Sequence, residues 1–273
     1  MQRSKLKNYL LILVIFLAFF LRFYKIDKVP PSLYWDEASL GYNAYSILKT
    51  ARDEYGVFLP TLFRSNDDYK PPVYIYTLVP SIAIFGLSEF AIRFPSALAG
   101  ILIVLLTYVL TKKITANKRI ALFAAFFLAI SPWHLQFSRG GFEANFMQFF
   151  TVVGVTLLIF SFKKNLLLVP SAISFGLALN TYQGGKVWIP LVIVMLTFCF
   201  LKEILILGKK LILPLLILFI FVLPILLNFQ DSIIRGKFVS IFSQKDKNVY
   251  ELFTEGYLSH YNPTFLFIRG DTI

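Results

Sequence analysis

Cysteine and histidine are scarce in this chain, and their scarcity removes whole classes of function. The single cysteine, Cys199, lies inside an apolar run, so an intrachain disulfide is excluded and no cysteine has the spacing of a metal ligand. The two histidines, His134 and His260, are far apart in sequence. Asp67 and Asp68 are adjacent loop carboxylates, a kind that is usually solvated. We therefore predict neither a metal nor a cofactor.

Charged residues are also few. They make up 15% of the chain against 57% hydrophobic residues, and the mean hydropathy is +0.70. This composition lies outside that of soluble domains and predicts a polytopic membrane protein. Basic residues outnumber acidic ones by 27 to 15, but they fall in short clusters between apolar runs. Because nucleic-acid binding needs a continuous basic stripe, we predict no nucleic acid partner and interpret the clusters as topology signals in a lipid bilayer.

The apolar runs predict about seven membrane spans. The first, Tyr9 to Phe23, follows a basic N-terminus and is not followed by a small-residue cleavage site, which predicts an uncleaved anchor. Several of the others are close to the minimum of about 17 residues for a spanning helix. They cover Pro95 to Thr111, Ile120 to Phe137, Phe142 to Phe162, Leu166 to Thr181, Val187 to Leu201 and Leu211 to Phe229.

One further apolar run, Val73 to Leu87, is ambiguous because it contains Pro80 and is shorter than the roughly 20 residues of a typical span. If it does not cross, nine basic residues share the side of the basic N-terminus, and Arg139 and Lys186 lie opposite, which fits the cytoplasmic bias of basic residues. We therefore predict that it lies in the outer interface. The nine residues are Lys112, Lys113, Lys118, Arg119, Lys163, Lys164, Lys202, Lys209 and Lys210.

The predicted fold is an all-α, polytopic transmembrane helix bundle with amphipathic juxtamembrane helices in its first extracytoplasmic loop. Residues 1–229 form the transmembrane core, with that loop at 25–94, and residues 230–273 form an extracytoplasmic segment. The turns at 138–145 and 180–186 share the face of the loop. This arrangement predicts a multi-pass cell-membrane protein whose polar groups meet on the extracytoplasmic side.

Asp36 and Glu37 stand at the start of a predicted helix in this loop. Two interpretations remain open. Asp36 is either an N-cap, with Glu37 a first-turn acid favoured by the helix dipole, or a general base that takes a proton from an incoming hydroxyl. The helix is predicted because a stripe of apolar residues follows the pair at helical spacing: Leu40, Ala44, Ile47 and Leu48.

Lys70 precedes Pro71 and Pro72, which favour an extended lysine and let the next helix begin at a proline. An ammonium beside a helix N-terminus suits a phosphate, although a lysine that merely reaches the interface is the alternative. Arg139 either pairs with Glu143, one helical turn on, or neutralises phosphate charge. The remaining substrate-binding or phosphate-binding candidates, on the same face, are Tyr182, Lys186 and His260.

In this order the motifs resemble polyprenyl-phosphate-dependent glycosyltransferases of the GT-C fold, of the family 39 and family 83 type. These include protein O-mannosyltransferases and the aminoarabinose transferase that acts on lipid A. The residues that carry the resemblance are Tyr34-Trp35-Asp36-Glu37, Lys70-Pro71-Pro72-Val73-Tyr74, Arg93-Phe94-Pro95-Ser96-Ala97-Leu98-Ala99-Gly100 and Ser138-Arg139.

The resemblance implies a catalytic pair, Asp36 as base with Glu37 beside it, and a contact between Lys70 and donor phosphate. The implied reaction moves one sugar, with inversion, from a polyprenyl-phosphate donor to a hydroxyl of a protein or glycolipid on the extracytoplasmic face. A transporter or lipid flippase, and a ligase that uses a lipid diphosphate donor, stay open as alternatives. Because the tail at 257–271 resembles an element found mid-chain in relatives, we expect an N-terminal portion of a longer enzyme.

Overall fold

Helices make up most of the chain that the computed structural model describes, namely residues 2–65, 68–228, 248–259 and 261–264. The chain forms two compact units, Met1–Leu227 and Asn228–Ile273. The elements of the first unit are α1 (Gln2–Phe23), α2 (Trp35–Thr50), β1 (Phe63–Ser65), β2 (Asp68–Lys70), α3 (Pro72–Phe85), α4 (Glu89–Thr115), α5 (Lys118–Ile130), α6 (Pro132–Arg139), α7 (Glu143–Ser161), α8 (Leu168–Leu179), α9 (Gly185–Cys199), α10 (Leu201–Leu207) and α11 (Ile212–Leu227). The second unit contains α12 (Val249–Ser259).

The described helices begin and end at residues whose chemistry explains the boundary. Ser88 caps α4 by accepting a hydrogen bond from the Ala91 amide, and Asn117 caps α5 in the same way. Pro72 is the first residue of α3, as the proline pair predicts, because a proline at this position loses no helical hydrogen bond. At its other end α2 stops at Ala51, which adopts a left-handed conformation with φ of 56°.

Three helical segments are long and apolar enough to cross a membrane: α4, α7 and the stretch Leu201–Leu227 that contains α10 and α11. The pair α5 and α6 makes a fourth if counted as one span, although it bends by 58°. The apolar segments Tyr9–Phe23, Pro72–Phe85, Asn165–Leu179 and Gly185–Cys199 are shorter. The protein is thus a multi-pass membrane protein, and every predicted span coincides with a helix or a bent pair.

The predicted span from Ile120 to Phe137 corresponds to a bent pair of helices. It divides at Ser131, where α5 ends and α6 begins with Pro132. Proline has no amide hydrogen to continue the helical ladder, and the Ser131 hydroxyl accepts from the His134 amide to start the second helix.

The segment between α1 and α4 rests on a hydrophobic core built from α2, α3 and α4. The predicted stripe of α2 is buried at Leu40, Ala44 and Ile47, where it packs against α3. Gly41 brings α2 very close to α4, since a Cβ atom added there would lie 2.4 Å from the Ile92 side chain. This packing fixes α2, and with it the acidic pair, relative to the membrane helices.

A short antiparallel hairpin precedes α3, and the all-α prediction did not include it. Phe63 in β1 pairs with Lys70 in β2, and Arg64 pairs with Tyr69. The Phe63 side chain is fully buried in the core below α2 and α3. Lys70 is therefore the last residue of β2, which is anchored by the neighbouring strand β1, and it lies immediately before the proline pair.

Candidate active site

Asp36 and Lys70 form an ion pair, with 2.9 Å between Lys70 Nζ and Asp36 Oδ1. The lysine side chain is only 5% exposed, whereas that of Asp36 is 45% exposed. Asp36 lies in the first turn of α2 and is not its N-cap, which is Tyr34. Oδ1 is the carboxylate oxygen that contacts Lys70, and Asp36 is the more exposed partner of the pair. The arrangement combines a buried cation with a carboxylate that can accept a proton.

Glu37 follows Asp36 directly but faces the interior of the protein. It is 3% exposed and pairs with the fully buried Arg93, whose Nε lies 3.0 Å from Glu37 Oε1. Oε1 also accepts from the Gly141 amide at 2.7 Å, and Oε2 accepts from the Tyr34 amide at 2.9 Å. With both oxygens engaged, Glu37 has the geometry of a positioning residue and not that of the catalytic partner predicted from sequence.

Arg93 joins the acidic pair to the connection between α1 and α2, and sequence analysis did not select it as a site residue. Besides Glu37, its guanidinium donates to the carbonyl groups of Ile26 and Pro30, both at 2.9 Å, and of Ser32 at 2.5 Å. An arginine with all its donors satisfied holds its neighbours rigidly. Arg93 thereby fixes the first turn of α2 and the orientation of Asp36.

Arg139 has the same function at the end of α1. Its guanidinium donates to the carbonyl groups of Leu21, Tyr24 and Val29, at 2.5, 2.9 and 2.8 Å. Among the described residues its hydrogen bonds are with these carbonyl groups, so of the two interpretations left open by the sequence the pairing with Glu143 is not the one that forms.

The turn between α8 and α9 contacts the chain both before and after Lys70. Gln183 Nε2 donates to the Tyr69 carbonyl at 2.6 Å, and the Val73 amide donates to the Asn180 carbonyl at 3.2 Å. Lys186 lies in the first turn of α9, where its ammonium donates to Gln183 Oε1 at 2.5 Å. Lys186 is thus linked to the Lys70 hairpin through one glutamine.

Tyr182 lies in the same turn, where its ring limits the space beside Gly184. A Cβ atom added to Gly184 would lie 2.8 Å from that ring. His260 and Asp67, the other residues considered from sequence, lie outside the described residues, as does the side chain of Asp68.

Tyr74, in the first turn of α3, is fully buried four residues after Lys70. Complete burial raises the pKa of Tyr74 well above its usual range, and the charges of Glu37 and Glu143 raise it further. The phenol therefore stays protonated and donates to the Ile92 carbonyl at 3.0 Å. This contact ties the N-terminal turn of α3 to α4.

A second buried arginine, Arg22, also escaped the sequence analysis. It donates to the carbonyl groups of Ala18 and Ala129 and contacts His134 Nδ1 at 2.6 Å. Because an arginine can only donate, Nδ1 of His134 is the acceptor. These contacts join α1, α5 and α6 near the bend, so His134 is a buried structural residue.

Solved structures with a similar fold come from an archaeon. Three structures of the Archaeoglobus fulgidus oligosaccharyltransferase superpose on this chain: AglB in complex with an inhibitory peptide and a dolichol-phosphate, a complex with Zn and sulfate, and an apo form. Their TM-scores are 0.59, 0.58 and 0.60, each at 18% identity, over 97%, 95% and 96% of this chain. The matched regions are 35%, 37% and 36% of the archaeal chain, so this chain spans little more than a third of its length.

Among curated proteins no sequence matches this chain. The family model described as dolichyl-phosphate-mannose-protein mannosyltransferase matches residues 12–233, which include α2 to α11 and both members of the Asp36–Lys70 pair. The archaeal likeness shows that the fold is of the GT-C type, and the family match covers most of the sequence. The chain belongs to the dolichyl-phosphate-mannose-protein mannosyltransferase family.

Proposed function

We propose that this protein is a membrane glycosyltransferase that moves a single sugar from a polyprenyl-phosphate donor to a hydroxyl group on the extracytoplasmic face. The acceptor belongs to a protein or a glycolipid. One observation carries the proposal: the buried Lys70 ammonium and the half-exposed Asp36 carboxylate meet at 2.9 Å. A hydroxyl nucleophile needs a base and a phosphate leaving group needs a cation, and this pair supplies one of each within one site.

In this mechanism the acceptor oxygen attacks the anomeric carbon from the side opposite the phosphate. The bond between that carbon and the phosphate oxygen breaks, and the bonding electrons leave with the phosphate, so the configuration inverts. Asp36 takes the hydroxyl proton through Oδ2, and the Lys70 ammonium stabilises the charge that develops on the phosphate. Phosphate is a good leaving group, which explains why one base and one cation suffice.

The test uses membranes that contain the full chain and radiolabelled dolichyl-phosphate-mannose, the donor named in the family description. Transfer is measured as label retained on macromolecules after lipid extraction. Asp36→Asn should lower the transfer rate by at least about 100-fold, the usual contribution of a general base. The matched control is Asp27→Asn, an exposed aspartate of the same loop. Wild-type turnover in Asp36→Asn would remove Asp36 from the role of base.

Transfer from a lipid diphosphate is a second candidate, favoured by the fold shared with an archaeal oligosaccharyltransferase. The same membranes incubated with a labelled lipid-diphosphate oligosaccharide separate the two reactions. Label transferred from the diphosphate donor and not from dolichyl-phosphate-mannose would favour the ligase.

A transporter or flippase would place ionisable groups in the middle of its helices. The two buried arginines instead lie near helix ends, Arg22 in the last turn of α1 and Arg93 in the second turn of α4. This placement favours chemistry at one membrane face.

A further inference from the structure

The loop that carries Lys70 is held by the α8–α9 turn at the residue before it and at the third residue after it. Gln183 contacts the carbonyl of Tyr69, and Asn180 contacts the amide of Val73. Pro71 and Pro72, which lie between these contacts, have no amide hydrogen to offer. Lys70 therefore sits inside a clamp whose two contacts come from one turn.

Gln183 also fixes Lys186, through the other end of the same amide group. Its Nε2 must be the donor to the Tyr69 carbonyl, which leaves Oε1 as the acceptor for the Lys186 ammonium. The amide therefore fixes the position of the Lys186 ammonium. Two hydrogen bonds, of 2.6 and 2.5 Å, thus connect Lys186 to the residue that precedes Lys70.

The start of α9 is built to allow this contact. A Cβ atom on Gly185 would lie 2.8 Å from the carbonyl oxygen of Ala178 in α8, so only glycine lets the two helices approach this closely. Lys186 follows directly. The close approach of the two helices therefore places Lys186 where it contacts Gln183, and Gln183 in turn contacts the hairpin.

We propose that Gln183 is a positioning residue that couples Lys186 to Lys70, so that both ammonium groups bind the phosphate of one lipid-linked phosphate monoester. The inference rests on the proposed function and deepens it by naming the residue that sets the second cation. Gln183 does not touch the reacting atoms and acts by holding Lys186 to the residue that precedes Lys70.

The test measures binding of tritiated dolichyl phosphate, which carries no sugar, to the purified full chain in detergent. Gln183→Met keeps the side-chain length and removes both hydrogen bonds, and Lys186→Met removes the ammonium. Each should raise the dissociation constant about 10-fold, the range expected for a hydrogen bond to a charged group. The double variant should be weaker by clearly less than the roughly 100-fold product of the single effects, because part of the effect of Gln183 passes through Lys186. Gln136→Met, at an exposed glutamine of α6, should bind as the wild type does.

The outcomes separate the inference from the function on which it rests. Unchanged binding by Gln183→Met, or single effects that multiply to about 100-fold in the double variant, would overturn the inference alone. A wild-type chain that does not bind dolichyl phosphate would overturn the proposed donor. If Gln183→Met does not fold, Gln183→Glu replaces it. This variant keeps the acceptor for Lys186 but loses the donor to Tyr69, and it too should bind about 10-fold more weakly.

Discussion

At the scale of single residues, Asp36 and Glu37 show how two adjacent carboxylates acquire different roles. Asp36 faces the open site, where it contacts Lys70, and Glu37 is buried against Arg93. Successive residues of a helix point about 100° apart, so one turn can serve a site and a core at once. The proposed division gives reactivity to the exposed acid and rigidity to the buried one.

Replacing each acid by its amide should lower the stability of the protein by different amounts. Glu37→Gln leaves the Arg93 charge buried without a carboxylate, and we expect it to lower the free energy of unfolding by about 3–5 kcal/mol. Asp36→Asn keeps an amide oxygen for Lys70 at a partly exposed position, so we expect a loss of about 1 kcal/mol. Tryptophan fluorescence during thermal unfolding in detergent measures both. Equal losses would contradict the division of roles.

Even a conservative substitution of Arg93 should be destabilising. Arg93→Lys keeps the charge but cannot reach two carboxylate oxygens and three carbonyl groups together, so we expect a loss of about 3 kcal/mol. Arg119→Lys, at the exposed start of α5, is the control and should change stability by less than about 0.5 kcal/mol. The unfolding midpoint in urea provides the comparison, and similar midpoints for both variants would be evidence against the anchoring role.

At the scale of elements, the contact between α8 and α9 depends on a glycine. Gly185→Ala would force the start of α9 away from the Ala178 carbonyl, which is backbone and cannot rotate aside. We expect a loss of about 1–3 kcal/mol, the cost of overpacking, together with weaker dolichyl phosphate binding. The control, Gly256→Ala in α12, meets no atom within 4 Å of the new Cβ and should not be destabilising. Wild-type stability in Gly185→Ala would show that the turn tolerates displacement.

Local patterns predicted the elements better than the contacts between them. The proline pair marked the start of α3, and the apolar stripe marked the buried face of α2. The hairpin was missed because three-residue strands leave no periodicity to detect, and the bend at Ser131 because hydropathy continues across it. Arg93 and Gln183 were missed for another reason, since their partners lie 56 and 114 positions away. Only the folded chain brings such residues together.

At the scale of the whole molecule, the charge pattern predicts which side of the membrane each turn occupies. In a chain with Cys199→Ser, single cysteines at Lys113 and Lys164 should be protected from an impermeant maleimide applied to intact cells, and one at Arg64 should react. The expectation follows from the cytoplasmic bias of basic residues. Arg64 is an exposed residue of the external hairpin in this topology. Labelling of position 113 or 164 from outside would reverse the predicted orientation.

Recognition of main-chain oxygen by two arginines has an evolutionary consequence. Arg93 and Arg139 together bind six carbonyl groups between positions 21 and 32. Every residue type supplies a backbone carbonyl, so mutations can accumulate in that connection without loss of these hydrogen bonds. Positions 37 and 93, in contrast, must change together or not at all. We expect divergent homologues to keep the backbone path of this segment while its amino-acid sequence changes.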